Sequence, residues 1–318
     1  MKSFLSQQSV EAGSVSLDSA GNILVVGNFL GSVDFDPGAG TALRTASGLR
    51  DIFVVKLSGS GNFLWVRTFG NVSNDISTSV ATDASNAIYV GGQFEGTVDF
   101  DPGAGNTNSS SGGSFAGFVL KLTSSGNFSW VQSGNSTSGL SRVEDLVVQG
   151  NQVYAVGKNL TVVQVEHVNV LALNRQTGSV IYERKFDATI SLQLGGIAAY
   201  SDGSVVFGGS LTPSVSNGQL QQGSITFDSH TVATPSQMTS AFLVRLDANG
   251  STRWAKSMPA SRVEISTVTM SPAGDICIGG DVEGSMDADP GAGVMSVGSG
   301  TGDVFVAVHS SDGNLRWA

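Results

Sequence analysis

The residues in this chain whose types and spacing suit chemistry are paired aspartates that recur just before a Pro-Gly step. GSVDFDPGAG (Gly31–Gly40), GTVDFDPGAG (Gly96–Gly105) and GSMDADPGAG (Gly284–Gly293) carry Asp34/Asp36, Asp99/Asp101 and Asp287/Asp289. Two carboxylates at i and i+2, followed by a turn rich in free carbonyls, offer oxygen ligands to a hard cation such as Ca²⁺. Glu95 and Glu283 precede two of the segments and would add a ligand. The same spacing also serves a turn, with Pro-Gly in type II geometry and Asp36 bonding its own backbone. Strand alternation puts both carboxylates on one face in either case. The segments lack the longer ligand run of an EF-hand loop, and the metal and turn roles both stay open.

Other reactive groups are sparse. His167, His230 and His309 fall at unrelated places and give no metal-ligand spacing. Cys277 is the sole cysteine, so no intrachain disulfide forms, and its apolar run Ile276–Ile278 predicts a buried, inert thiol. Asp18, Asp83 and Asp202 stand near the ends of similar apolar segments, as carboxylates of a propeller glycosidase would. Their neighbours (DSAGN, DASNA, SDGS) read as hairpin turns, and the matching places elsewhere hold Gln149 and Pro272. The pairs Gly91–Gly92, Gly208–Gly209 and Gly279–Gly280 precede no helix and form no phosphate loop; close sheet packing or a bulge is expected. A periodic aromatic (Trp65, Trp130, Tyr182, Trp254, Trp317) would stack on a sugar or fill the space between sheets, and its exchange for Tyr fits packing. No enzyme is expected.

The elements that position these residues are repeats. DIFVVKLSGSGNFLWVRTFG (Asp51–Gly70) has relatives at Gly117–Trp130, Val168–Tyr182, Ala241–Trp254 and Asp303–Trp317. A glycine ending an earlier apolar segment (Gly27, Gly91, Gly157, Gly208, Gly279) keeps step with the aromatic, which makes five copies. Each copy opens with a hairpin, beginning in the first with Ser14–Asp18 and Ile23–Phe29, across turns such as SAGN, SDGS and PAGD. Two hairpins make four strands per copy, and no sustained helical periodicity occurs. The expected fold is all-β, a β-propeller of five blades with four antiparallel strands each, in one domain over 1–318. A β-solenoid is the rival architecture. The repeats run 14–69, 79–134, 145–186, 196–258 and 267–318, with 1–13 completing the last blade, because WA joined to MKSF resembles WAKSM and WVRTF. A stretch cut from a longer array is the other reading of those ends. The DPGAG segment lies between the second and third strands. Copy four keeps only Asp228 in GSITFDSHTV, and copy three drops the segment.

Composition narrows the function classes. Net charge is −10 and the 16 basic residues are scattered, so no nucleic-acid footprint is expected. Charged residues make up 13%, about half the usual share of roughly 25%, and 42 glycines suit a turn-rich β chain. MKSFLSQQSVEAGS has no basic region followed by an apolar one, so no signal peptide is expected. No apolar run approaches the ~18 residues of a membrane helix, and membrane insertion is not expected.

Hairpins of this form, followed by VDFDPGAG and DIFVVKL…GNFLW, resemble the bacterial β-propeller repeat family often called SBBP. The resemblance covers nearly the whole chain, clearly in copies one, two and five. It implies a secreted or cell-surface location and a non-catalytic interaction or adhesion role, as a monomer or part of a larger chain. Seven blades are implied by the family and five copies are present. The partner would be a protein or a carbohydrate. A structural spacer and a polysaccharide hydrolase or lyase are the competing functions.

Overall fold

The structure, a computed structural model, describes residues 3–6, 8–134, 140–160, 166–216 and 219–318. Among these residues there are strands and turns and no α-helix. The chain divides into two compact units, Met1–Val148 with Asn174–Ser179, and Gln149–Leu173 with Val180–Ala318. The division falls inside copy three.

In the first unit, copy one forms an antiparallel sheet of Val10–Leu17, Ile23–Phe29, Asp51–Leu57 and Phe63–Phe69, in chain order. Copy two repeats it with Ile76–Thr82, Ile88–Asp99, Asn108–Leu122 and Phe128–Ser133. The unit also holds the first strand of copy three, from Arg142. In the second unit the same meander recurs in copy four (Ser191–Ala199, Val205–Thr212, Thr239–Leu246, Thr252–Ala260) and in copy five (Arg262–Met270, Ile276–Glu283, Asp303–His309, Leu315–Trp317). The later strands of copy three, Gln152–Leu160, Glu166–Asn174 and Val180–Ala188, lie side by side in order. A four-stranded up-and-down meander repeated along the chain is the blade of a β-propeller, and the all-β class read from the repeats holds.

First strands begin four to six residues earlier than their alternation suggests. Strand register breaks between Ala12 and Ser14, Ser77 and Ser79, Leu194 and Gly196, and Ile265 and Thr267. A bulge there flips the side-chain alternation and hides the upstream half of the strand from a period-two reading. Val10–Gly13 are therefore part of the first strand of copy one, not the completion of copy five. Residues 1, 2 and 7 of the segment read as closing the last blade lie outside the described residues. Leu5 and Ser6 pair with Asp34 and Val33 of copy one.

Glycine opposite each bulge is a packing requirement. A Cβ on Gly27, Gly92, Gly209 or Gly280 would stand 1.9–2.1 Å from a carbonyl oxygen of the neighbouring first strand. The other member of each pair faces outward. Gly91 lies against Val143, and Gly208 against Val268, in the following copy.

Buried apolar residues form the layer between successive sheets. In the first unit Ile52 and Val54 of copy one pack with Val80, Ile88 and Val90 of copy two. In the second, Ala241 and Leu243 of copy four pack with Val268, Ile276 and Ile278 of copy five. Four of the closing aromatics reach into the next copy. Trp65, Trp130, Tyr182 and Trp254 lie against the turn glycines Gly126, Gly178, Gly250 and Gly313, within 3.2 Å of where a Cβ would sit. Those glycines have positive φ, so the turn is both left-handed and closely covered. A cation follows the same direction, with Lys56, Lys121 and Arg245 donating to the carbonyls of Ser124, Arg175 and Ser311. The periodic aromatic therefore serves packing between sheets.

Candidate functional site

The hairpins between second and third strands are built alike in three copies. Ser32–Asp34 pairs with Leu43–Thr45, the ends of Ile88–Asp99 and Asn108–Leu122 pair, and Met286–Asp287 pairs with Ser296–Val297. Alternation turns the residue between the two aspartates inward, and Phe35, Phe100 and Ala288 are fully buried. Phe35 packs on Phe29 and Phe53, and Phe100 on Phe94 and Phe118. Copy four keeps the plug as Phe227, against Phe207 and Phe242. In copy five Ala288 leaves room for the buried His309, whose Nε2 lies 3.0 Å from the Ala288 carbonyl. Burial lowers the His309 pKa.

An aromatic near the end of the preceding fourth strand completes two of the sockets, with Phe69 on Phe100 and Phe186 on Phe227. Phe4 plays that part for copy one, 5.4 Å from Phe35. Phe4 thus occupies the place that Phe69 takes beside Phe100. The plug aromatics escaped the sequence reading, although the pattern D-F-D in two copies and T-F-D in a third carried the signal.

The aspartates divide two tasks. Asp34 Oδ1 accepts the amides of Asp36 (3.0 Å) and Ala42 (2.7 Å), closing the hairpin across eight residues. Asp99 holds Asp101 and Thr107 in the same way, and Asp287 holds Asp289 and Met295. These amide bonds lower the Asp34 pKa. The second aspartate makes an Asx turn, with Asp36, Asp101 and Asp289 accepting from Gly38, Gly103 and Gly291. None of those glycines has positive φ, so the Pro-Gly step is not the expected type II turn. The last glycine of each motif is needed for closeness instead. A Cβ on Gly40, Gly105 or Gly293 would lie 2.1–2.2 Å from Oδ2 of the second aspartate. The tips, Gly38–Gly40 and their equivalents, are exposed.

The candidate extra ligands have other engagements. Glu283 pairs with Arg262 at 3.0 Å, while the backbone of Glu95 bonds Asp75 and Asn71. Among the described residues no group of three or more His, Cys, Asp and Glu side chains is arranged to hold a metal ion. Copy four substitutes an ion pair, Asp228 with Arg184, and Asp228 also accepts the Thr252 amide at 2.7 Å. In copy three, residues 161–165 of the shortened connection lie outside the described residues.

Asp18, Asp83 and Asp202 are each held by their own turn. Asp18 accepts the amides of Ala20 and Asn22 and pairs with the buried Lys56 at 2.8 Å. Burial would raise its carboxyl, yet Lys56 and Asn22 together bring it down to about 2. Asp83 bonds Ser85, Ala87 and the Tyr89 hydroxyl, and Asp202 bonds Ser204. All three are hairpin-turn anchors. His167 Nδ1 meets Asp187 at 2.6 Å. Cys277 is half-buried rather than buried, because alternation gives the core to Ile276 and Ile278.

No family model matches the chain. An uncharacterized WD repeat-containing protein of Acanthamoeba polyphaga mimivirus, L264, is 33% identical over 94 residues. That match takes in 25% of this chain and 7% of the viral protein, so the chain corresponds to a small part of that relative's length. Among solved structures, the WD40 β-propeller domain of Doa1 aligns over 100% of this chain and 98% of that domain, with 13% identity and a TM-score of 0.31.

Proposed function

We propose that this chain is a non-catalytic interaction module of the β-propeller repeat type, working at a bacterial exterior, with the inserted hairpins as its recognition surface. The observation that carries this is the anchoring of exposed tips to rigid sheets by buried plugs. Loops held on a rigid scaffold are where recognition residues concentrate. The plug at Phe35, Phe100, Phe227 or Ala288 fixes each hairpin, while Ala39, Ala104 and Ala292 stand at the tips. The carboxylates at strand ends serve turns, which supports a non-catalytic role. The SBBP-like motifs support the exterior location and a protein or carbohydrate ligand.

Arrays of surface glycans and surface proteins, probed with the purified chain in calcium and in EDTA, test this. Arginine at Ala39, Ala104 and Ala292 should abolish any interaction found while leaving the melting temperature unchanged. Binding that persists in the triple variant would remove the hairpins from recognition. A requirement for calcium would add Asp34, Asp36, Asp99, Asp101, Asp287 and Asp289 to the site as ligands.

A further inference from the structure

The link that leads from copy one into copy two, residues 70–75, lies against two carboxyls buried at its side. Asp51 is 3% exposed and Asp75 0%. Asp75 ties three segments together. Its amide donates to the Arg50 carbonyl (2.8 Å), its Oδ2 accepts the Asn71 amide (2.8 Å), and its Oδ1 accepts the Glu95 amide (3.2 Å). Asp51 Oδ2 accepts the Ser47 amide at 2.9 Å, but its Oδ1 is buried with no hydrogen-bond partner. That oxygen faces the link: a Cβ on Gly70 would stand 2.4 Å from it. The two carboxyls thus flank the peptide between Gly70 and Asn71, inside the first unit.

Among the described residues neither carboxyl has an ion-pair partner. The Arg50 guanidinium turns to Glu11 instead, at 2.8 and 3.1 Å, and Glu95 adds a third negative group beside Asp75. Two ionised carboxylates buried side by side without a cation are far more costly than a pair that keeps one proton. The architecture does not require them. By register Ser240 and Val263 hold the same places at the junction of copies four and five, where the Val263 amide donates to Thr239 Oγ1 at 2.6 Å. Asp303, which matches Asp51 in copy five, closes its loop through the amides of Ser299 and Gly300, and these lower its carboxyl. Loop closure alone therefore calls for neither a buried pair nor a retained proton.

We propose that Asp51 and Asp75 share one proton and form a pH-operated clasp, closed in acid, on the link between copies one and two. The unpartnered Oδ1 of Asp51 is where the shared proton has room to sit, and the pair titrates as one unit. The clasp reaches the bases of both inserted hairpins. Ser47 follows the hairpin strand of copy one, and Asn71 Nδ2 donates to the Glu95 and Thr97 carbonyls in copy two. Loss of the proton leaves two adjacent charges in a low dielectric, and the link lifts to let water reach them. Burial, with Asp51 and Glu95, raises the Asp75 carboxyl to about 6, and burial raises that of Asp51, in keeping with this geometry.

Carbon-detected NMR of the aspartate carboxyls and amide exchange corrected for intrinsic rates, both from pH 4 to pH 7, provide the test on wild type, Asp51→Asn and Asp51→Ser. In wild type the Asp51 and Asp75 carboxyl carbons should titrate together, above pH 5. Protection of the Ser47, Asn71, Asp75 and Glu95 amides should fall at least tenfold between pH 4 and pH 6.5, because the closed clasp holds a proton that the open one releases. Protection of Val263 and Ile265, at the junction without the pair, should not change. Asp51→Asn keeps the shape without the charge and should hold protection level across the range, as should Asp51→Ser, which copies Ser240. Carboxyl carbons that both titrate below pH 4.5 would overturn the proposal, and this result needs no variant. Wild-type protection that ignores pH would overturn it too, as would an Asp51→Asn variant that keeps the wild-type slope.

Discussion

Replacing Phe100 with alanine is the sharpest test of how the hairpins are held. The ring is fully buried and touches Phe94, Phe118 and Phe69, at centroid distances of 5.4, 5.0 and 6.2 Å. Its neighbours belong to two sheets of one unit and cannot collapse into the space without moving a strand. A Phe→Ala change in such a site costs about 3–5 kcal/mol. Spread over a unit of roughly 150 residues, at about 2–4 °C per kcal/mol, this lowers the melting temperature by about 6–20 °C. Urea unfolding measures the free energy, and amide exchange followed by mass spectrometry reports where it is lost. Exchange should rise first in residues 99–108, because the plug secures the hairpin before it secures the sheet. Phe100→Leu should recover most of the loss. A cost below about 1 kcal/mol, or exchange that rises evenly across the unit, would refute the plug as the hairpin's anchor.

Gly40→Ala should be destabilising, because the new methyl would sit 2.2 Å from Asp36 Oδ2, and adding Asp36→Ala should relieve it, with a coupling of about 0.5–3 kcal/mol in a double-mutant cycle. Melting curves in EDTA and in millimolar Ca²⁺ should superimpose, since each aspartate already has one oxygen on backbone amides; a calcium-dependent rise lost in Asp36→Ala/Asp101→Ala/Asp289→Ala would establish a metal role instead. Burial, aided by Asp51 and Glu95 and opposed by two amides, pushes the buried Asp75 up to about 6. The folded state thus keeps a proton that the unfolded chain releases near pH 4, so the Asp75 contribution to stability falls as pH rises to about 6 and is then flat. Urea midpoints for wild type and Asp75→Asn across this range should show the steeper fall in wild type. His309 works the other way: its lowered pKa means that stability is lost as pH falls below the ordinary histidine value of about 6.5, and His309→Leu, matching Leu57 and Leu246, should flatten that loss.

The repeat, the four-strand count and the packing role of the closing aromatic were all legible in the sequence, because each rests on local periodicity repeated many times. Strand beginnings were not, since a bulge after Ala12 or Ser77 breaks alternation in the stretch where it is needed. Copy one has Val26–Gly27 and copy three Val156–Gly157 where copies two, four and five have paired glycines, and the glycine that faces the bulge is the second of each pair; spacing alone could not separate it from the first. In the DPGAG motif the turn role of Asp36 was legible, but its type was not. The Pro-Gly step suggested positive φ at its glycine, whereas the structure uses the missing Cβ of Gly38 and Gly40 to admit a carboxylate. The plug at Phe35 went unread because it sits between two polar residues, and nothing local says which face of a three-residue strand is covered.

The closing aromatic and the third-strand cation both reach forward, from one copy to a turn of the next, and this gives the chain a polarity. A copy with an inserted hairpin brings a plug for its own sheet and, in copies two and four, for the sheet behind it, and the closing aromatics of copies one to four reach for the sheet ahead, so such a junction draws on two neighbouring copies. Stability in such an array grows by near-neighbour increments. A gene built this way can gain or lose a whole unit by unequal recombination between matching points of two copies, and the new junction is already furnished on both sides. Variation is then free to concentrate in the hairpin tips, as between the DPGAG turn of copy five and the Asp228–Arg184 pair of copy four, while the joinery is inherited unchanged.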